Sequence, residues 1–172
     1  MKKYFKIIIF TILLIMVDQA SKLLITNYFE AGDSLTIINN FFRLFYIKNT
    51  GAAFGFLMNS TFILILITIL LLIYLIIELK KNINNDFISL SLSLIISGAL
   101  GNLIDRVFRG YVVDFISFIL FNKEMAIFNV ADAFITIGVV ILLIYIFKEG
   151  KYERISQEQN RRTAQGYEDE PA

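Results

Sequence analysis

The sequence predicts an all-α membrane protein with four transmembrane helices, on the strength of two observations. Hydrophobic residues make up 57% of the 172-residue chain, with a mean hydropathy of +0.69, well above the usual apolar share of soluble domains. No charged residue lies between Lys48 and Glu78 or between Asp86 and Asp105. Because about 20 apolar helical residues span a bilayer, we expect spanning helices, each apolar nearly all round, at about 6–26, 61–79, 87–104 and 130–147.

The first helix has some features of a cleavable signal peptide. Lys2 and Lys3 precede an apolar stretch, which is followed by the small residues Ala20 and Ser21. Cleavage after Ala20 would, however, place Asp18 where a small residue is needed, and three further spans follow. We therefore expect the first helix to be retained.

Positive charges orient the four helices. An even number of spans places both termini on one side, and that side carries Lys2, Lys3, Lys6, Lys80, Lys81, Lys148, Lys151, Arg154, Arg161 and Arg162. The other side carries Arg43, Lys48, Arg106, Arg109 and Lys123, while Lys22 lies within the first span. Under the positive-inside rule, we expect both termini in the cytoplasm and the loops at 27–60 and 105–129 outside.

The first outer loop contains a candidate hairpin. Two short apolar stretches, Ser34 to Ile38 and Phe41 to Ile47, are separated by Asn39-Asn40, a pair suited to a left-handed turn. By contrast, the segment 151–172 is polar, mixed in charge and aperiodic. We expect one domain over 1–150 and a disordered cytoplasmic tail over 151–172, to which we assign no function.

Composition restricts the possible chemistry. The chain has no cysteine, no histidine and a net charge of +1. Cysteine nucleophiles, Ser-His-Asp triads, disulfides and zinc sites built on His or Cys are therefore excluded. Nothing predicts binding of nucleic acid. Carboxylate, lysine or serine chemistry remains, or no chemistry at all.

The polar residues of the spans are all expected in the same half of the membrane. At about 1.5 Å per residue, they lie roughly 18 to 30 Å from the cytoplasmic ends of their helices, which is the outer half of the membrane. These residues are Asp18, Lys22, Asn102, Asp105, Arg106 and Asp132. Charges at that depth are costly unless they are paired or face a cavity, so one convergent cluster is more economical than separate lipid-facing charges.

Two groups of these residues also have structural explanations. Asp18 and Lys22 are four residues apart, so they could simply form an intrahelical ion pair. On the third helix Asn102 and Arg106 share a face and Asp105 lies beside them, but the Asp105-Arg106 pair could merely mark the membrane boundary.

Three further positions draw attention. The segment from Asn49 through Gly51 to Gly55 has a small-residue spacing that more often indicates helix packing than catalysis. Asn129 is a good N-cap for the fourth helix, with Asp132 placed favourably against the helix dipole. Asp114 lies in an apolar pentad and has no such local explanation, so it requires a partner.

Two carboxyl groups held close together share a proton, so that one can activate water while the other donates a proton. This is aspartyl protease chemistry, and it requires neither a metal nor a cofactor. Sequence spacing alone leaves open whether Asp114 and Asp132 meet.

Five motifs, taken in order, resemble those of the lipoprotein signal peptidases, also called signal peptidase II. They are Asp18-Gln-Ala-Ser-Lys22, Asn49-Thr-Gly-Ala-Ala-Phe54, Gly98-Ala-Leu-Gly-Asn-Leu-Ile-Asp-Arg106, Val112-Val-Asp-Phe115 and Phe128-Asn-Val-Ala-Asp132. The resemblance covers about residues 5–148. It implies a multi-pass enzyme of the bacterial cell membrane with a small extracellular β-sheet from the first outer loop and an active site near the outer leaflet.

The resemblance also implies residue roles and a substrate. It makes Asp114 and Asp132 the catalytic pair. Substrate binding or organisation of the site would fall to Asp18, Lys22, Asn49, Gly51, Asn102, Asp105, Arg106 and Asn129. The implied substrate is a diacylglyceryl-modified prolipoprotein, cut on the amino side of the lipidated Cys. We expect contact with this substrate and with membrane lipid, no binding of nucleic acid, and a monomer.

Three other functions compete with this interpretation. Intramembrane charges could belong to a small transporter, but a transporter predicts polar residues near the midplane or a symmetric repeat, and neither is evident. The charges could merely join helices in a structural protein, in which case Asp114→Asn would leave function intact. A serine-lysine protease could use Lys22, but Ser21 points about 100° away on a helix, so another serine would be needed.

Overall fold

The computed structural model describes residues 2–51, 60–121 and 123–168. In chain order these residues form α1 (Lys2–Tyr28), β1 (Ser34–Ile38), β2 (Phe42–Asn49), α2 (Thr61–Lys81), α3 (Asp86–Arg109), β3 (Val112–Leu120), β4 (Lys123–Glu124) and α4 (Val130–Glu168). Four of these elements are helices long and apolar enough to cross a membrane, with α4 doing so over Val130–Lys151. The predicted fold class, four membrane-spanning helices with a small β-sheet, is confirmed.

Helix α3 lies at the centre of the bundle and contacts α1, α2 and α4. Most of its span is buried inside the protein, whereas the other three helices direct most of their apolar side chains outward. We had expected all four helices to be apolar nearly all round. The difference arises because α3 carries buried serines whose hydroxyls donate to carbonyls of their own helix, as Ser93 Oγ does to Ser89 O at 2.6 Å.

Glycines permit the close approach of α3 and α4. A Cβ added at Gly138 would lie 2.7 Å from the Ser91 carbonyl oxygen, which is backbone and cannot easily yield, and one at Gly98 would overlap the Ala131 carbonyl oxygen. At Gly150, further along the same helix, nothing lies within 4 Å of an added Cβ.

We expect Gly138→Ala to destabilise the protein by about 1–3 kcal/mol, because overpacking forces the two helices apart. Gly150→Ala is the matched control, and its better helix propensity should stabilise by up to about 1 kcal/mol. Thermal unfolding of both variants in detergent measures the difference. Equal melting temperatures for the two variants would contradict this account of the helix contact.

The sheet is antiparallel, with strand order β1-β2-β3-β4. The predicted hairpin is present, and Asn40 occupies the left-handed conformation of its turn with φ of 55°. The segment between α1 and α2, however, supplies only β1 and β2, since β3 and β4 come from the segment between α3 and α4. Strand β3 was not predicted, although its Val, Ile and Phe residues favour strands, because it forms by pairing with the distant strand β2.

Helix α4 is longer than predicted, since it continues to Glu168 rather than ending at about 147. The sequence predicts a disordered tail from residue 151 onward. Its Glu, Lys, Arg and Gln residues are good helix formers, so a helix that has already begun can extend through a polar segment without an apolar face. The division of the chain near residue 150 stays a prediction.

A left-handed glycine turns the chain from the bundle into the sheet. Gly110 caps α3 with φ of 79°, and its N–H donates to Arg106 O. A residue with a Cβ would be strained in this conformation. Strand β3 begins two residues later, so Asp114 comes close to the last turns of α3.

Candidate active site

Asp114 is positioned by the pairing of β2 with β3. Ile47 lies opposite Asp114, and Asn49, two residues further along β2, therefore faces the same side of the sheet. The Asn49 Nδ2 donates to Asp114 Oδ2 at 2.7 Å, while Asn49 Oδ1 accepts from the Gly51 N–H at 2.9 Å. The contact with Gly51 fixes the orientation of the amide, so that its NH₂ group faces the carboxyl.

Asn129 holds the other oxygen of the same carboxyl. Phe128 forms a β-bridge with Ile116 on β3, which brings Asn129 beside Asp114. The Asn129 Nδ2 then donates to Asp114 Oδ1 at 2.6 Å. Asn129 and Asp132 also cap α4 reciprocally, each side chain accepting from the other's backbone N–H. The predicted N-cap is therefore present, and the same Asn129 side chain also binds the carboxyl group of Asp114.

Asn102 on α3 completes the connection between the two aspartates. Its Nδ2 donates to Asp132 Oδ1 at 2.8 Å, and its Oδ1 accepts from Asn129 Nδ2 at 3.1 Å. A continuous set of hydrogen bonds thus runs from Asp114 through Asn129 and Asn102 to Asp132. Lys22 Nζ also donates to Asn102 Oδ1, at 3.0 Å, and fixes which end of this amide faces Asp132.

Lys22 lies at the centre of a buried ion cluster. Its Nζ is 2.9 Å from Asp18 Oδ2 and 3.1 Å from Asp105 Oδ2, and all three side chains are fully buried. The two acids also accept from backbone N–H groups, Asp18 from Ala131 on α4 and Asp105 from Val113 on β3. The Asp18–Lys22 pair is therefore more than an intrahelical contact, because it joins α1 to α3 and α4, and through Asp105 to β3.

Two arginines of α3 complete the charge distribution. Arg106 Nη2 donates to Gly51 O at 3.2 Å, and its guanidinium interacts electrostatically with Asp105, Asp114 and Asp132. Arg109 Nε lies 3.4 Å from Asp105 Oδ1. The cluster therefore has three cations and four carboxyl groups: Lys22, Arg106 and Arg109 with Asp18, Asp105, Asp114 and Asp132. These charges balance when the Asp114 and Asp132 pair carries one proton.

Exposure differs across the cluster. Asp114 is 2% exposed and Asn129 fully buried, whereas Asp132, Asn49 and Arg106 are only half-buried. Asp132 is thus the carboxyl group of the pair that water can reach more easily.

Burial raises the pKa of the Asp114 carboxyl to about 6. The negative charge of Asp132 adds to the rise, while the hydrogen bonds donated by Asn49 and Asn129 oppose it by favouring the ionised form. The Asp114 carboxyl is therefore mostly protonated below a pH of about 6.

Comparison with known proteins identifies the family. Residues 10–148 match the family model described as signal peptidase (SPase) II. The chain belongs to the signal peptidase II family. The lipoprotein signal peptidase of Streptococcus agalactiae serotype Ia is 47% identical over 142 residues, covering 82% of this chain and 91% of that protein. The one from Caldanaerobacter subterraneus subsp. tengcongensis is 44% identical over 144 residues, covering 83% and 97%.

Solved structures of bacterial membrane enzymes share this fold. A bacterial membrane enzyme determined by the in meso method at 2.3 Å resolution superposes with a TM-score of 0.79 at 37% identity, covering 84% of this chain and 89% of that one. A second, at 1.9 Å resolution, has a TM-score of 0.72 at 36% identity, covering 83% and 93%. As a member of the signal peptidase II family, the chain is a multi-pass membrane peptidase that acts on lipoprotein precursors.

Family membership sets aside the transporter and the structural protein. The serine-lysine alternative also lacks structural support. Ser21 Oγ donates to Asp18 O of its own helix at 2.6 Å, and Lys22 is occupied by two carboxylates and an amide. A lysine held in this way is not free to act as a base.

All ten residues that the sequence analysis assigned to this signal peptidase II site lie in one connected cluster, although their roles stay predictions. Two further members of the cluster, Gln19 and Arg109, were not predicted. Gln19 Nε2 donates to Asp18 Oδ2 at 3.1 Å and to Gly101 O at 3.2 Å. Arg109 could have been found, since it follows Asp105 by four residues on one helix. The second half of the Asn49 motif, from residue 52, lies outside the described residues.

Proposed function

We propose that the chain is an aspartic endopeptidase that removes the signal peptide from diacylglyceryl-modified prolipoproteins by cleaving on the amino side of the lipidated Cys. One observation carries the proposal: the carboxyl groups of Asp114 and Asp132, on different elements, are joined through two amide side chains at the end of the bundle that bears the sheet. Family membership supports the substrate class.

In the proposed reaction, the Asp132 carboxylate accepts a proton from water, and the water oxygen attacks the carbonyl carbon of the scissile bond. Asp114 donates its proton to the carbonyl oxygen, giving a neutral tetrahedral intermediate. Asp132 then passes the proton it accepted to the leaving nitrogen, the C–N bond breaks, and the hydroxyl proton returns to Asp114. The half-buried position of Asp132 and the raised pKa of Asp114 support this division of roles.

The neighbouring side chains would prepare the pair for this reaction. Asn102 and Asn129 hold the carboxyl groups in fixed orientations, since every amide hydrogen bond described above has a defined donor and acceptor. Arg106 already binds the Gly51 carbonyl oxygen at the half-buried edge. In that position it could also bind a backbone carbonyl of the substrate.

The placing of the site in the membrane is also part of the proposal. We propose that both termini lie in the cytoplasm, so that the sheet and the cluster lie near the outer leaflet. The excess of Lys and Arg at the opposite end of the bundle supports this orientation. A Cys carrying diacylglycerol would then present its peptide bond at the depth of the two aspartates.

Cleavage of a purified prolipoprotein with and without diacylglyceryl modification tests the substrate. We expect the modified form to be cut, with mass spectrometry locating the new N-terminus at the lipidated Cys. The unmodified form, at the same concentration and in the same detergent, is the control. Equal cleavage of both forms, or a cut elsewhere, would refute the substrate assignment and leave the family assignment intact.

The pH dependence tests the protonation of the pair. If Asp114 must hold a proton, kcat/KM falls about tenfold per pH unit as pH rises through the pKa of about 6, because this ratio reports the free enzyme. The pH at which kcat itself begins to fall should be higher, since bound substrate buries the Asp114 carboxyl further and raises its pKa. A kcat/KM that stays constant between pH 5 and 8.5 would rule out a proton donor with this pKa.

A further inference from the structure

A groove lies between the first turns of α1 and α3, at the end of the bundle opposite the sheet. It has a volume of about 460 Å³, and its lining combines lysines at the mouth with apolar and serine side chains deeper along the helices. The lining includes Lys2, Lys3, Lys6, Ile7, Phe10 and Leu90. None of these lining residues belongs to the connected set of charged and amide side chains around Asp114 and Asp132.

The charge at the mouth of the groove is positive. Lys3 Nζ lies 2.7 Å from Asp86 Oδ1, so this lysine is neutralised by the acid that borders the groove. Within the described part of the chain, neither Lys2 nor Lys6 makes an ion pair. These two exposed lysines are four residues apart on one helix, where like charges destabilise each other unless an anion lies between them.

We propose that this groove binds an anionic phospholipid, with the phosphate at Lys2 and Lys6 and an acyl chain along Ile7, Phe10 and Leu90. A free phosphate would use only the lysines, whereas a lipid also covers the apolar walls that continue toward the bilayer centre. The site is separate from the proposed catalytic pair and would tie the first helix to α3 in membranes that contain anionic lipid.

A single tryptophan can test the site, because the chain has none. Phe10→Trp places a fluorescent reporter in the groove wall, and Ile77→Trp places one on α2 beside Lys80 and Lys81, where lysines occur without this groove. Both variants are reconstituted as full chains in vesicles that contain phosphatidylcholine and phosphatidylglycerol. In one set of vesicles only the phosphatidylcholine carries brominated acyl chains, and in the other set only the phosphatidylglycerol carries them. Quenching then gives the relative affinity of the two lipids at each reporter.

At Ile77→Trp we expect phosphatidylglycerol to be preferred over phosphatidylcholine by only about fivefold, because Glu78 neutralises Lys81. At Phe10→Trp we expect a preference of about 30-fold, since each of the two lysines near the phosphate contributes somewhat less than a tenfold preference. Adding Lys2→Gln and Lys6→Gln should remove that preference, whereas Lys80→Gln and Lys151→Gln should not. Cleavage activity in detergent should be the same in all these variants.

Three results would overturn the proposal. The lipid preference could be equal at both reporters, which would indicate only a general attraction of lysines for anionic lipid. It could survive the change of Lys2 and Lys6. Inorganic phosphate could relieve the quenching at Phe10→Trp as effectively as unbrominated phosphatidylglycerol, which would indicate an anion site that does not recognise lipid. Melting temperatures within a few degrees of wild type confirm that each variant is folded before quenching is measured.

Discussion

Asp114→Asn and Asp132→Asn are each expected to reduce the cleavage rate by about 10³-fold or more. Each change keeps the size of the side chain but removes a group that transfers protons, and general acid and base groups typically contribute 10²–10⁴-fold each. The readout is single-turnover cleavage of a diacylglyceryl-modified prolipoprotein, with excess enzyme in detergent so that slow variants remain measurable.

The control for these variants must separate loss of chemistry from loss of fold. In Asp114→Asn the new NH₂ group faces a donor from Asn49 or Asn129, since both carboxyl oxygens accept hydrogen bonds in the wild type. Some loss of stability is therefore expected, and activity is compared only below each variant's melting temperature. A folded variant with near-normal turnover would show that its aspartate is structural.

Lys22→Met is expected to destabilise the protein by about 3–5 kcal/mol, because it leaves carboxylates buried without their cation. Lys22 is in contact with both Asp18 and Asp105, and none of the three side chains is exposed. Methionine preserves most of the volume of lysine, so the loss reports the charge and not a cavity. Thermal or denaturant unfolding in detergent provides the measurement.

Lys81→Met is the matched control for this prediction. Lys81 Nζ lies 2.7 Å from Glu78 Oε1, but its side chain is 63% exposed, and such surface pairs contribute about 0–1 kcal/mol. The double variant Lys22→Met with Asp105→Asn should be more stable than Lys22→Met alone, because it removes one of the two buried carboxylates left without a cation. If Lys22→Met and Lys81→Met lose the same stability, the buried ion cluster does not hold the helices together.

The sequence was most informative about the helices and the first hairpin. A bilayer imposes a minimum apolar length, so the four spans can be found without any tertiary contact. The Asn39-Asn40 turn is likewise local, since it depends on residues that tolerate a left-handed conformation. Both features follow from interactions within a short segment of chain.

Features that depend on distant contacts could not be predicted from local patterns. The strand character of β3 depends on its pairing with β2, and the central position of α3 depends on how its serines and glycines fit the other helices. The residues of the site were identified through the family resemblance. Their convergence rests on Asn102 and Asn129, whose hydrogen bonds join elements far apart in sequence.

In the proposed mechanism Asp114 and Asp132 act as one unit that shares a proton, and a double-mutant cycle measures the coupling between them. Single-turnover cleavage rates are measured for wild type, Asp114→Asn, Asp132→Asn and the double variant. Groups that act as a unit are not additive, so we predict that the double variant is slower than either single variant by less than about tenfold. If the two losses multiply instead, the aspartates act independently and the proposed shared-proton mechanism is wrong.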